Sequence, residues 1–402
     1  MPKEHEMNYI TLNYEKCTGC SSCANICPVR AISIIHDKYG FYVPQIDFEK
    51  CVGCGLCKNV CLIGRKKELE YSDFAVKAYA AYAKDSVVRR SSSSGGVFSV
   101  LADHVLNKNG IVYGAAFDEN FNVVHTGVRT REELARLRGS KYVQSFISET
   151  LYSEIKEELE NGTEVLFSGT PCQVAGLRFY LQKEYANLLL VDLVCHGVPS
   201  PKIFNDYFAG LENKYGKIKQ YFFRDKEKSW KIFNSKVVTD KKNIVKYMDQ
   251  DLYLYLYHTQ PLLRKSCYQC EFASKGRVSD ITIGDFWGYQ ESKDLPDDDK
   301  GLNCVLCNTT KGKDFFESLL TEFNCESRAL EEIEKGNPVL LHPVKYKEQE
   351  RSKFWDTYFL KGICGIKSAY YSPSFKSRFI LFLRFNCSCL YNLLRYIYRL
   401  IK

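Results

Sequence analysis

Long apolar runs are what this chain most plainly lacks. No stretch of its 402 residues reaches the roughly 18 consecutive apolar positions that a membrane-spanning helix needs, so no helical span is expected. Residues 1–9 are polar and hold no apolar core of a secretory signal, which points to the cytoplasm. A surplus of one charge is missing too: 56 basic against 48 acidic residues leave a net +8, short of a nucleic-acid footprint, and no nucleic-acid partner is expected. Nor is the composition that of a disordered chain, since 45% hydrophobic with 26% charged residues supports packed cores. At this length two domains or more are expected. No internal repeat is evident beyond one duplication among the cysteines.

Cysteine, by contrast, is abundant at 18 residues. In a secreted chain that number would imply disulfides, whereas metal-binding thiolates need a reducing compartment, again the cytoplasm. The spacing C-x2-C-x2-C-x3-C occurs twice, as Cys17, Cys20, Cys23 and Cys27 and as Cys51, Cys54, Cys57 and Cys61. This is the ligand run of bacterial two-cluster ferredoxins, in which the fourth cysteine of each run serves the other cluster. The expected ligand sets for two 4Fe-4S clusters are therefore Cys17, Cys20, Cys23 and Cys61, and Cys51, Cys54, Cys57 and Cys27. Gly19, Gly53 and Gly55 supply permissive dihedrals in the tight loops, and Pro28 turns the chain away after the first run. Zinc takes four ligands at paired spacings and matches this register poorly. Short strands at 9–12, 31–35 and 41–46 complete the two-fold pattern, and the charge-rich stretch 65–73 reads as a linker.

A strand at 76–83 runs into a serine and glycine loop at 89–96, which opens an amphipathic helix bearing Val97, Phe98, Leu101 and Val105 on one face. Such a loop at a helix N-terminus offers backbone N–H groups and a positive dipole end to an anion, here the phosphates of a flavin or nucleotide; the alternative is a flexible linker. Further on, strands at 111–117, 123–128, 164–167, 188–194 and 281–284 alternate with helices at 149–160, after 173 and after 199, an α/β pattern with functional loops at strand C-terminal ends. Two of those loops carry Cys172 and Cys195, and a C-x2-C pair, Cys267 and Cys270, follows. Four such thiols suffice for another cubane or for a zinc ion. Cys304 and Cys307 fall in a strand at 303–308, three residues apart and so on opposite faces, which argues against chelation. With Cys325, Cys364, Cys387 and Cys389 they are read as structural thiols.

Six stretches taken as an ordered set, 90–96 (RSSSSGG), 139–142 (GSKY), 168–173 (SGTPCQ), 194–200 (VCHGVPS), 266–270 (SCYQC) and 280–288 (DITIGDFWG), resemble the coenzyme F420 hydrogenase/dehydrogenase beta-subunit family. The resemblance covers residues 75 to about 310. It implies a cytoplasmic iron-sulfur flavoprotein oxidoreductase that binds FAD and passes electrons between ferredoxin-type clusters and a hydride carrier, F420-like or nicotinamide, or a small substrate. A non-catalytic electron-transfer subunit docking to a partner oxidoreductase is the alternative. The implied ligands of a third 4Fe-4S cluster are Cys172, Cys195, Cys267 and Cys270. Ser93, Ser94, Gly95, Gly96, Ser140, Lys141, Ser168, Gly169 and Thr170 are implied flavin contacts. His196 and Lys141 are the catalytic candidates, His196 as a proton donor or as an orienting hydrogen-bond partner. Asp285 and Trp287 are read as structural. A redox partner protein or a small-molecule hydride carrier is the expected partner.

The expected architecture is an α+β ferredoxin-like two-cluster domain (1–72), an α/β flavin-binding domain (73–345) and a helical C-terminal tail (346–402). In the tail, residues 379–385 and 390–401 are rich in Phe, Leu, Ile and Tyr, while Arg384, Arg395, Arg399 and Lys402 share one helical face. The expectation is either a helix packed on the catalytic domain or an interfacial anchor making peripheral contact with the inner face of the membrane.

Overall fold

The computed structural model describes residues 10, 13–69, 75–345 and 347–372. Near the N-terminus, β1 (Ile32–His36) pairs antiparallel with β2 (Tyr42–Ile46), and the one-turn helices Ser22–Asn25 and Leu56–Asn59 each carry a cysteine. The loops before these helices run through left-handed backbone at Gly19, Ser21, Gly53 and Gly55. At Gly19 the requirement is also steric, because a Cβ would lie 2.3 Å from the side-chain nitrogen of Gln144 and 2.9 Å from the Tyr42 carbonyl. The strand expected at 9–12 falls mostly outside the described residues; Ile10 is buried but belongs to no strand.

The remaining strands are β3 (Lys77–Ala83), β4 (Ile111–Phe117), β5 (Val123–Val128), β6 (Val165–Gly169), β7 (Leu188–Leu193), β8 (Ile218–Phe222), β9 (Asn234–Thr239), β10 (Asn243–Tyr247), β11 (Ile281–Asp285), β12 (Asn303–Cys307) and β13 (Phe323–Arg328). Strands β8 to β10 form a small antiparallel sheet. The other eight form one mixed sheet in the order β13-β3-β12-β11-β7-β6-β4-β5. Its central strands β11, β7, β6 and β4 run parallel, and its edges are antiparallel. Parallel strands covered on both faces read as unbroken apolar runs, and in β7 only Leu193 is exposed. In β12, Cys304 packs with Phe286 and Leu306 in one core and Cys307 with Val305 and Phe316 in another, as a strand's alternation requires.

Three expectations change. The stretch 89–96 is not all loop: helix Ser86–Ser91 occupies its start, capped by Asp85, whose carboxylate accepts from the N–H groups of Val87 and Val88 at 2.7 and 3.2 Å. The charge-rich stretch 65–73 is not a free linker where it is described. A 3₁₀ turn, Lys66–Leu69, buries Lys66 against Ser274 and is held by Arg178, which donates to the Leu69 carbonyl at 2.6 Å. Finally, Cys364 is exposed instead of serving as a small core hydrophobe, and Cys387 and Cys389 lie outside the described residues.

The ferredoxin-like unit is tied by hydrogen bonds to helices and a loop beside the large sheet. Ser22 donates to the Gly176 carbonyl at 2.8 Å, the Tyr152 hydroxyl to the Cys20 carbonyl at 2.9 Å, and Asn25 to the Ser148 carbonyl at 2.8 Å. A C-terminal helix, Glu348–Tyr370, kinked at Gly362, lays Trp355 edge-on against Tyr39 and Phe41. The basic and apolar segment at 379–402 lies outside the described residues. No described helix is long and apolar enough to cross a membrane.

Candidate functional site

The eight N-terminal cysteines gather in two sets of four. One cavity of about 30 Å³ is lined by Cys17, Cys20, Cys23 and Cys61, and another of about 20 Å³ by Cys27, Cys51, Cys54 and Cys57. The first is the more enclosed by protein, with Cys23 buried and Cys17, Cys20 and Cys61 half-buried. Burial pushes the Cys20 and Cys23 thiols up and raises Cys61 to about 11, so that loading a metal there must displace protons. The second is at the surface, with Cys54 exposed and Val52 of its lining 66% exposed; Phe48, three residues before Cys51, is exposed as well. Replacing Cys61 by Ala is therefore expected to remove the same cluster as Cys17→Ala, and Cys27→Ala the same cluster as Cys51→Ala. Electron paramagnetic resonance of the reduced proteins checks this; a Cys61→Ala spectrum that pairs with Cys51→Ala would refute the crossing.

The loops after β6 and β7 emerge at one edge because the two strands pair in parallel, Ser168 opposite Val191 and Gly169 opposite Asp192. Helix Pro171–Leu181 starts at once after β6, with Pro171 at its first position and the Thr170 N–H donating to the Gln173 side chain at 2.9 Å, which sets Cys172 in its first turn. Cys195 follows β7, and Gly197 takes a positive φ of 95° where a Cβ would come within 3.1 Å of the Cys267 Cβ. Cys267 and Cys270 close the ring from the 3₁₀ turn Lys265–Gln269. Together the four thiols line a cavity of about 160 Å³. Burial pushes Cys195 and Cys267 up to about 12 and Cys172 higher still, and the thiols raise one another by mutual repulsion. The four thiols surround a space, as the ferredoxin-type thiols do.

A larger cavity of about 410 Å³ lies beyond. It shares Thr170, Cys195, His196, Gly197 and Val198 with the four-thiol cavity, which in turn shares Thr18, Leu62 and Ile63 with the first ferredoxin-type cavity. Of the residues expected near a flavin, Ser93, Ser94, Gly96, Ser140, Lys141, Ser168, Gly169 and Thr170 line it. Gly95 does not. It packs on the sheet, where a Cβ would stand 2.6 Å from the Ala81 carbonyl and 2.9 Å from the Asn303 nitrogen. Ser94 turns its hydroxyl to the Leu302 carbonyl, and Ser93 accepts from the Ser140 N–H at 2.7 Å, tying the serine loop to the 139–142 stretch.

Lys141 lines the cavity, but its ammonium donates to the carbonyls of Arg136, Leu137 and Arg138 at 2.8 to 3.0 Å. It thereby caps the helix Arg131–Leu137, while burial lowers its pKa to about 7. His196 lies in the wall common to both large cavities, its pKa lowered by burial. The far wall escaped sequence reasoning. Phe233 and His258 meet edge to face at 4.6 Å, Phe233 stacks near Trp287, and Trp287 lies 4.7 Å from Trp230 in a parallel stack. Asp285 holds this wall by pairing with Arg224 at 3.0 Å and accepting from the Trp230 indole at 3.3 Å, in keeping with a structural role. His125, whose Nε2–H donates to the Ser168 carbonyl at 3.1 Å, is kept neutral by burial, which lowers its pKa to about 4. Arg138 lines the cavity beside the N-terminus of helix Val97–Asn107 and donates to Ser99 at 3.1 Å. Arg138, His125, Phe233 and His258 come from separate segments with no shared spacing.

The fold and its thiol-lined sites define an iron-sulfur electron-transfer protein joined to a mixed α/β unit. Family models match in series: a 4Fe-4S dicluster domain over residues 16–64, the N-terminal part of the coenzyme F420 hydrogenase/dehydrogenase beta subunit over 78–151, and its C-terminal part over 162–333. The chain belongs to the coenzyme F420 hydrogenase/dehydrogenase beta-subunit family, a family of oxidoreductase subunits. Comparison with curated proteins returns no match. Among solved structures, a chain of the xenon-derivatised F420-reducing [NiFe] hydrogenase complex from Methanosarcina barkeri is similar at 18% identity, over 72% of this chain and 94% of that one, with a TM-score of 0.43. At that score the likeness carries no further weight.

Proposed function

We propose that the chain is an iron-sulfur flavoprotein oxidoreductase in which the surface ferredoxin-type site, the buried one, a third 4Fe-4S cluster at Cys172, Cys195, Cys267 and Cys270, and FAD in the large cavity form one electron route. The observation that carries this reading is the shared walls, which set three of those cavities side by side in sequence. Bound there, a flavin exchanges single electrons with clusters and hydride with a substrate. The chain's own residues supply the holding groups. Arg138 and the positive end of helix Val97–Asn107 face the cavity where an FAD pyrophosphate needs counter-charge. Lys141 fixes the 139–142 stretch through three carbonyls, so in this reading it positions the wall instead of reacting. His196 stands between the thiol site and the cavity, where a neutral imidazole can hold a proton for the substrate or orient the loop.

A redox partner protein docks at the exposed Cys54, Val52 and Phe48 in this reading, and the hydride partner, F420-like or nicotinamide, enters over the aromatic wall of Phe233 and Trp287. The alternative is a non-catalytic electron-transfer subunit with an empty flavin site. Anaerobically reconstituted chain, given FAD and a chemical reductant, is expected to retain flavin through gel filtration and to reduce a nicotinamide or deazaflavin acceptor. Cluster reduction without flavin retention or hydride transfer would favour the alternative.

A further inference from the structure

Arg264 is buried, 3% exposed, between two thiol sites. Its Nε donates to the carbonyl of Cys17 at 2.7 Å and its Nη1 to the carbonyl of Tyr42 at 2.9 Å, both in the ferredoxin-like unit. On its other side the Cys267 N–H donates to the Arg264 carbonyl at 3.0 Å, which places Arg264 directly beside the four-thiol site. Nη2 is buried with no hydrogen-bond partner. Among the described residues no carboxylate pairs with Arg264. The arginine that lines the four-thiol cavity differs in this respect: Arg277 is paired with Asp192 at 2.8 Å.

A buried guanidinium without a carboxylate is costly unless another anion compensates it. The two thiol sites supply that anion when loaded. A 4Fe-4S core held by four thiolates is negatively charged and becomes more so on one-electron reduction, and net charge nearby is one of the levers that set its potential.

We propose that Arg264 is the shared counter-cation of the buried ferredoxin-type cluster and the four-thiol site, and that its charge raises the reduction potential of both relative to the surface cluster. Electrons entering at Cys54 are thereby drawn inward. The effect on the buried ferredoxin-type cluster rests only on the dicluster domain; the effect at Cys267 rests also on the third-cluster reading. If the four thiols hold zinc, the shift at the buried ferredoxin-type cluster is still expected, so the two readings fail separately.

The test is a redox titration of the reconstituted full-length chain, followed by electron paramagnetic resonance, in Arg264→Gln and Arg264→Lys variants with iron content measured in each. Arg264→Gln is expected to weaken the buried cluster's reduction equilibrium tenfold or more, a fall of about 59 mV or greater for a one-electron couple. The surface cluster is the internal control and stays unchanged. Lysine keeps the charge but cannot make the same pair of hydrogen bonds, so it is expected to stay near the parent potential. Loss of cluster iron in the Gln variant with retention in the Lys variant also supports a charge role. An unmoved buried-cluster potential in Arg264→Gln, equal shifts at every cluster, or loss of iron in both variants would overturn the proposal and leave Arg264 as a clamp between the two units.

Discussion

Replacing Cys267 and Cys270 together by Ala is expected to lower bound iron from about twelve to about eight per chain, one cubane of four iron atoms being lost. The pair is the compact half of the four-thiol ring, and without it Cys172 and Cys195 are left as two ligands on separate strand ends. Their removal leaves the N-terminal sites intact, because Cys17, Cys20, Cys23 and Cys61 line a cavity of their own. Fold is not the confounding factor, since Cys267 in a 3₁₀ turn and Cys270 just after it are half-buried and hold no sheet register. Iron and sulfide analysis after anaerobic reconstitution is the measurement. Unchanged iron in the double variant would mean that these thiols ligate no cluster.

The second large effect is expected at Gly114, in β4 on the wall of the 410 Å³ cavity. A Cβ there finds ordinary contact, its nearest neighbour being Leu137 at 3.5 Å, so the backbone tolerates a side chain. A leucine must then extend past Leu137 into the cavity or push Leu137 into it. Gly114→Leu is expected to abolish flavin retention while leaving iron at the parental level, since no thiol lies in contact with Gly114. Gly95 is a poorer probe: bulk there collides with the sheet backbone and would unfold the region whatever the cavity binds. Gly114→Leu protein that retains stoichiometric FAD would place the flavin elsewhere. Arg138→Ala offers a milder companion result, flavin affinity lowered roughly tenfold to a hundredfold if one charge-assisted hydrogen bond of about 1.5–3 kcal/mol is lost.

What could be read from sequence followed from how local each signal is. The N-terminal ligand sets are a matter of spacing within two short runs, and the two cavities gather the same two groups of four cysteines. The edge that gathers Cys172 and Cys195 was also legible, because two apolar runs ending in cysteine-bearing loops imply parallel strands. The serine loop was overextended because the four serines outweighed a helix signal just upstream, Asp85 as N-cap. Charge misled at residues 65–73, where Lys66 buries its stem and Arg178 holds the Leu69 carbonyl. The far wall of the large cavity was not legible at all: Phe233, His258 and Arg138 meet only after the small sheet, the helix Leu252–Thr259 and the 139–142 stretch have packed together. Arg264 belongs to the same class, since its value lies in reaching Cys17 across 247 residues of chain.

The central claim is a continuous route of three clusters ending at a flavin, and composition tests it most directly. Intact chain reconstituted anaerobically with iron, sulfide, zinc and FAD all available is expected to hold about twelve iron, about twelve sulfide, one FAD and no zinc. About eight iron with one zinc and no flavin would contradict it, leaving a two-cluster ferredoxin unit joined to a zinc-bound domain.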